Sequence, residues 1–350
     1  MTKTVALIDM TGFPGLVLAL IIVVGLCFLM VGGDWLCRGA ASLAIRLEVP
    51  PVVVGLTVVS IATSTPELFT ALVGVASDQP GLAIGNVIGS NAANMGLILG
   101  VAALITPVTV HSRLIRWEVP ILLGVTALFG LLCYVATGIG RLDGSLLLIL
   151  TFAYLVFIVL TSRNSRIGPE VEEELPSPLG NIFVCFLFLG GGTLLLWLGA
   201  DLLVDASVEA ATRMGVSETL IGITIIAIGT SLPELGATVA AAIRRQSGII
   251  VGNIIGSNLF NILLICGVVG VALPFPVDSG LIQLEIPMVF AFTCVFAWFI
   301  FTERTVSRKE GGLLLALYAA FILVTSLSQT GSFSIGPPDN EASTEIVLTE

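Results

Sequence analysis

Histidine is nearly absent from this chain: His111 is the only one in 350 residues, and the six cysteines form no CxxC pair. Zinc and haem centres are built from clusters of those residues, so neither is expected, and no other prosthetic group is implied. Charge is scarce as well. Asp, Glu, Lys and Arg make up 11% of the sequence, against about a quarter in an average soluble domain. No nucleophile-and-base arrangement, phosphate loop or catalytic metal cluster stands out, so an enzyme is not expected. What is abundant is apolar: 56% of the residues are hydrophobic and the mean hydropathy is +1.08. Runs of about 20 apolar residues recur from end to end, each long enough to cross the hydrocarbon core. The composition is that of a polytopic membrane protein with the lipid bilayer as its surroundings.

The minor residues fit that frame. Cys27, Cys37, Cys133, Cys185, Cys266 and Cys294 fall mostly in apolar runs and read as buried small hydrophobes. His111 stands beside Arg113 and Arg116 and reads as a residue of the membrane edge rather than a ligand. The net charge of −10 comes mostly from acids in polar loops and tails, including Glu170, Glu172, Glu173 and Glu174. It therefore says little about nucleic acid, and neither a nucleic acid nor an obligate protein partner is expected.

One segment occurs twice. GLTVVSIATSTPELFTALVGV fills residues 55–75 and GITIIAIGTSLPELGATVAAA fills 222–242, which sets Glu67 and Glu234 167 positions apart. The same offset pairs Asp34 with Asp201, Asn86 with Asn253, Asn94 with Asn261, Pro107 with Pro274, and Glu118-Val119-Pro120 with Glu285-Ile286-Pro287. The chain thus reads as a first half at 1–162, a short polar linker at 163–179, a second half at 180–328 and a polar, disordered tail at 329–350.

Each half divides into five spans. They are expected near 13–33, 50–76, 80–105, 117–137 and 143–162, then near 180–200, 217–243, 247–272, 281–302 and 311–328. An odd number per half makes the second half enter from the opposite side, giving an all-α polytopic membrane protein of ten transmembrane helices in two inverted five-helix repeats. The basic residues agree. Arg38, Arg46, Arg113, Arg116, Arg163, Arg166, Arg244, Arg245, Arg304, Arg308 and Lys309 fall in loops of one side; the other holds only Lys3, Arg141 and Arg213. That bias puts the linker in the cytoplasm and both termini outside, in a plasma membrane of the bacterial inner-membrane type.

The chemistry sits in the doubled segments. Pro66 and Pro233 interrupt their helices and free the carbonyls of Ala62 and Gly229. Inside a bilayer such groups need a partner in the protein, a cavity or an ion. On a continuous helix the hydroxyls of Thr63 and Ser64 share the face of Glu67, and those of Thr230 and Ser231 the face of Glu234. Carboxylate, hydroxyl and carbonyl oxygens are hard donors suited to Na+ and Ca2+. A proline kink with a structurally paired glutamate is the bland alternative, but no Lys or Arg falls in the spans to make that pair. The next spans, GNVIGSNAANMGLILG at 85–100 and GNIIGSNLFNILLICG at 252–267, set Ser90 with Asn94 and Ser257 with Asn261 on one face. Their GxxxG pairs allow close helix contact, while Asn86, Asn91, Asn253 and Asn258 read equally well as interhelical glue.

A TSxPE helix followed by a GNxxGSNxxN helix, the pair occurring twice, resembles the α-repeats of the cation/Ca2+ exchanger superfamily, and within it the prokaryotic Na+/Ca2+ exchanger group. The resemblance covers nearly the whole chain. It implies ten transmembrane helices, with spans 2, 3, 7 and 8 around a central cation site and spans 1 and 6 sliding over them. It makes Glu67 and Glu234 the main Ca2+ ligands, also serving Na+. It adds Thr63, Ser64, Ser90, Asn94, Thr230, Ser231, Ser257 and Asn261, with backbone oxygens near Ser60 and Ala227 facing outer Na+ positions. The chain departs from some members in having Asn rather than Asp at Asn94 and Asn261, which leaves two formal carboxylates. The expected function is a secondary antiporter exchanging Na+ for Ca2+ by alternating access. Ca2+/H+ antiport through the same glutamates is the alternative, and a channel or cation sensor is a further one from a different class.

Overall fold

The computed structural model describes residues 10, 12–77, 79–110, 112, 114–162, 179–215 and 227–329. Helix α1 is Gly15–Arg46. A broken pair follows, α2 at Pro51–Thr63 and α3 at Thr65–Ala76, bent by 41° at Ser64. Next come α4 at Pro80–Ile105, α5 at Leu114–Ala136 and α6 at Arg141–Ser162. The second half contains α7 at Ile182–Arg213, the turn α8 at Ala227–Gly229, α9 at Leu232–Ile243, α10 at Ser247–Ala272, α11 at Leu281–Thr302 and α12 at Arg308–Gln329. Among the described residues eight helices are long and apolar enough to cross a membrane, nine with the bent pair taken as one span. The expected span at 217–243 lies partly outside the described residues.

Two expectations change on contact with the structure. Spans 1 and 6 continue well past their expected ends at 33 and 200: α1 and α7 are each 32 residues long, about 48 Å at the usual rise. Asp34 does not stop α1, because its carboxylate is paired there with Arg38 and Arg244 while the backbone stays helical. Arg38, expected in a loop, is therefore on α1, where it pairs with Asp34 at 2.9 Å. Nor are all six cysteines buried. Cys27 and Cys294 lie on the outer surface of the bundle, where an apolar thiol can face lipid.

Helices α1 and α7 pack antiparallel over their length through residues seven apart. A Cβ added to Gly25 would meet the Gly199 carbonyl at 2.9 Å, one on Gly32 the Gly192 carbonyl at 2.8 Å, and one on Gly39 the backbone around Cys185 and Leu189. Backbones this close require glycine, since van der Waals contact is the main force available between helices in lipid. Beneath this pair lies the core. In α4 and α10 the most apolar stretches are 72% and 83% buried, against 22–28% for α1, α5, α6, α7 and α12. The two most buried helices are those carrying the GNxxGSN segments.

The equivalence of the halves shows in backbone detail. α4 and α10 each contain a π-helical turn beginning at the motif asparagine, Asn94–Ile98 and Asn261–Ile265. α5 and α11 each open on another, Leu114–Glu118 and Leu281–Glu285. Such turns leave part of the hydrogen-bond ladder open and are frequent at functional positions. Left-handed caps at Thr137 and Arg304 end α5 and α11. Short strands tie the halves at their rims: β1 (Val108–Thr109) pairs with β4 (Thr305–Val306), and β2 (Gly138–Ile139) with β3 (Phe275–Pro276). β1 and β2 flank α5 at its two ends, yet β3, the equivalent of β1, lies at the end where β2 is.

Candidate cation site

Serine and proline create the site by ending one helix and starting another. Ser64 has φ −84° and ψ 6°, Ser231 φ −89° and ψ 5°, and a proline follows two residues later near the start of each new helix. The fixed φ and missing N–H of proline are tolerated at that point of a helix. Glu67 and Glu234 thereby fall in the first turns of α3 and α9, where unpaired N–H groups and the helix dipole favour a carboxylate. Both glutamates are 1% exposed, and the hydroxyl of Ser64, three residues before Glu67, reaches the carboxylate of Glu234.

The break changes which hydroxyl serves which acid. Ser64 does not keep to the face of its own Glu67; its hydroxyl crosses between the halves and donates to Glu234 Oε1 at 3.1 Å. Its equivalent Ser231 donates to Ser90 at 3.4 Å instead. Thr63 donates to Asn253 Oδ1 at 3.4 Å, and Thr230 to Asn86 Oδ1 at 3.3 Å. Ser60 is fully buried and donates to the carbonyls of Gly55 at 2.7 Å and Asn253 at 3.1 Å. Ala227 begins α8, and the residues before it are outside the described ones.

Between α4 and α10 four asparagines form a cross-linked cluster. Asn94 Nδ2 donates to Asn258 Oδ1 at 3.2 Å, its equivalent Asn261 Nδ2 to Asn91 Oδ1 at 3.0 Å, and Asn91 Nδ2 to the Asn258 carbonyl at 3.3 Å. Asn91 and Asn258 thus join the halves, and the amides of Asn94 and Asn261 are oriented by them. The repeat spacing alone places these residues on α4 and α10 but does not show that they meet.

Several buried oxygens in this region accept nothing from the protein: both of Glu67, Oε2 of Glu234, Oδ1 of Asn261 and the hydroxyl of Ser257. A buried carboxylate with no donor is expensive. A cation held among these hard oxygens would compensate that cost. Among the described residues no group of three His, Cys, Asp or Glu side chains comes together, so two carboxylates and neutral oxygens make up the donor set.

Close helix approach is clear on one side of this core. A Cβ on Gly252 would meet the Val52 carbonyl at 2.6 Å, and one on Gly256 the Ser60 hydroxyl at 2.3 Å. For Gly85 and Gly89 no described atom lies within 4 Å; the segment equivalent to the one packed on Gly252 is 216–226, outside the described residues.

Comparison with known proteins gives a consistent picture. The family model described as "Sodium/calcium exchanger protein" matches twice, at residues 17–160 and 184–327. Inner membrane protein YrbG of Escherichia coli K12 is 36% identical over 301 residues, 84% of this chain and 92% of that protein. Sodium/calcium exchanger MaX1 of Methanosarcina acetivorans is 32% identical over 340 residues, covering 87% and 97% of the two chains. A solved structure of the sodium-calcium exchanger NCX_Mj, soaked with 10 mM Na+ and 10 mM Sr2+, superposes with a TM-score of 0.75 at 29% identity, covering 89% of this chain and 99% of that one.

Proposed function

This chain belongs to the sodium/calcium exchanger family, and from that premise we propose that it is a secondary antiporter exchanging Na+ for Ca2+ at one central site. The observation that carries the reading is two buried glutamates, one from each half, linked through Ser64 beside the first and with three of their four carboxylate oxygens unpartnered. Two negative charges balance one Ca2+. The same oxygens can instead be shared among Na+ ions, so the two loads compete, and competition for one site is what couples an exchanger. Glu67 and Glu234 carry the charge. Thr63, Ser64, Ser90, Asn94, Thr230, Ser231, Ser257 and Asn261 supply neutral oxygens, with backbone oxygens at Ser60 and Ala227.

Two halves, 1–162 and 180–328, form inverted repeats of five spans each, and the site alternates between the two sides of the membrane. Three observations support the inversion: the double family match at one offset, the antiparallel glycine packing of α1 on α7, and the reciprocal β1–β4 and β2–β3 pairs. The linker is cytoplasmic and both termini are outside. If the cycle moves one net charge, the membrane potential adds about 2.3 kcal/mol per 100 mV to the driving force.

The test is tracer Ca2+ uptake into Na+-loaded liposomes diluted into Na+-free buffer. Uptake is expected from the native protein, and Glu67→Gln and Glu234→Gln should each reduce it by roughly two to four orders of magnitude, since breaking a buried charge arrangement costs about 3–5 kcal/mol. Uptake driven by a pH gradient and indifferent to Na+ would replace this reading with Ca2+/H+ antiport.

A further inference from the structure

The halves differ at one buried position that contacts a neighbour of the proposed site. Thr238 stands one turn beyond Glu234 on α9, and the equivalent residue in the first half is Ala71. Thr238 and Asn253 are each 1% exposed, and Asn253 Nδ2 donates to the Thr238 hydroxyl at 3.3 Å. Asn86, the equivalent of Asn253, donates its amide elsewhere, to the backbone carbonyl of Glu67 at 3.2 Å. The first half therefore anchors its asparagine on the main chain of its glutamate, and the second half anchors it on a side-chain hydroxyl.

In this arrangement the amide donates to Thr238 and turns its oxygen the other way. With Nδ2 held by Thr238, Oδ1 turns toward α2 and accepts from Thr63 at 3.4 Å and from Ser60 at 3.5 Å. A hydroxyl has one proton and two lone pairs. When the proton of Thr63 is directed at Asn253 or at the Val59 carbonyl, 3.1 Å away, its lone pairs are left for a cation. Turned by half a rotation, Asn253 would present N–H groups to Thr63 and occupy a lone pair instead. We propose that Thr238 is a positioning residue that locks the Asn253 amide and so keeps the Thr63 hydroxyl available as a Na+ ligand. The inference rests on the exchange reading above. The first half uses a backbone carbonyl for the same task, so Na+ binding beside Thr63 is more easily perturbed by substitution than binding beside Thr230.

The test uses the full chain in liposomes and measures apparent KM for Na+ and for Ca2+ separately. Thr238→Val keeps the shape and removes the hydroxyl; it should raise the KM for Na+ about tenfold and change that for Ca2+ less than twofold. Thr238→Ser restores the acceptor and should return both values to within twofold of the native protein. Equal rises in both constants, a serine variant as impaired as the valine one, or a valine variant with native constants would each overturn the positioning role. If Thr238→Val fails to fold, Thr238→Ala, which copies Ala71, takes its place with the same expectations. A native protein whose Ca2+ uptake ignores Na+ overturns the exchange reading and this inference together. Native exchange with an unaffected variant overturns this inference alone.

Discussion

Single residues in the site do not do what their repeat positions imply. Ser64 and Ser231 are equivalent in sequence, but Ser64 donates to Glu234 across the interface at 3.1 Å while Ser231 donates to Ser90 at 3.4 Å. A hydrogen bond to a charged group contributes about 1.5–3 kcal/mol. Ser64→Ala should therefore weaken apparent Ca2+ affinity about tenfold and Ser231→Ala about twofold, read as KM in the uptake assay. Equal effects would mean that the exchange-competent state equalises the two serines. The motif residues were legible from the sequence because carboxylate, proline and hydroxyl recur at one spacing. The inequality was not, because it arises where chain segments 170 positions apart meet. Thr238 could have been noticed as a polar residue facing Ala71 in the alignment of the halves, but its partner Asn253 could not.

At the level of elements, glycine spacing decides where helices approach. Gly252 and Gly256 let α10 lie against α2, with the Ser60 hydroxyl 2.3 Å from where a Cβ on Gly256 would stand and the Leu56 carbonyl at 2.7 Å. Backbone cannot yield as a flexible side chain does, so overpacking here is costly. Gly256→Val should lower stability by about 3 kcal/mol, measurable as an earlier thermal transition in detergent, and should impair transport by displacing Ser60 and Asn253. A variant as stable as the native protein would show that α2 and α10 can separate freely. The helix ends were less legible than the spans. Hydropathy placed ends near 33 and 200, but the α1–α7 interface continues beyond the apolar runs, and packing rather than hydrophobicity sets their 32-residue length. The breaks at Ser64 and Ser231 were expected from Pro66 and Pro233; the π-helical turns at Asn94 and Asn261 were not, since no composition rule marks them.

The whole molecule is held across its halves. Arg244, just after α9, pairs with Asp34 of α1; Arg46 at the end of α1 donates to the Leu179 carbonyl at 2.7 Å, where the second half begins. The β1–β4 and β2–β3 pairs close the two rims. The proposed orientation puts the loop before α11 outside and the loop after it in the cytoplasm. Asp278 and Lys309 are both exposed; in a background with Cys27 and Cys294 replaced by serine, an impermeant thiol reagent applied to intact cells should label Asp278→Cys and not Lys309→Cys. Labelling of both, or of Lys309→Cys alone, would contradict the proposed orientation. Composition and repeat spacing were enough to indicate a membrane protein with a doubled segment and to single out Glu67 and Glu234, because hydropathy and local helix chemistry act within short stretches of chain. Which oxygens face one another, which asparagines join the halves and which hydroxyl serves which carboxylate were decided only in the tertiary structure, because each of those contacts is made between segments well over a hundred residues apart.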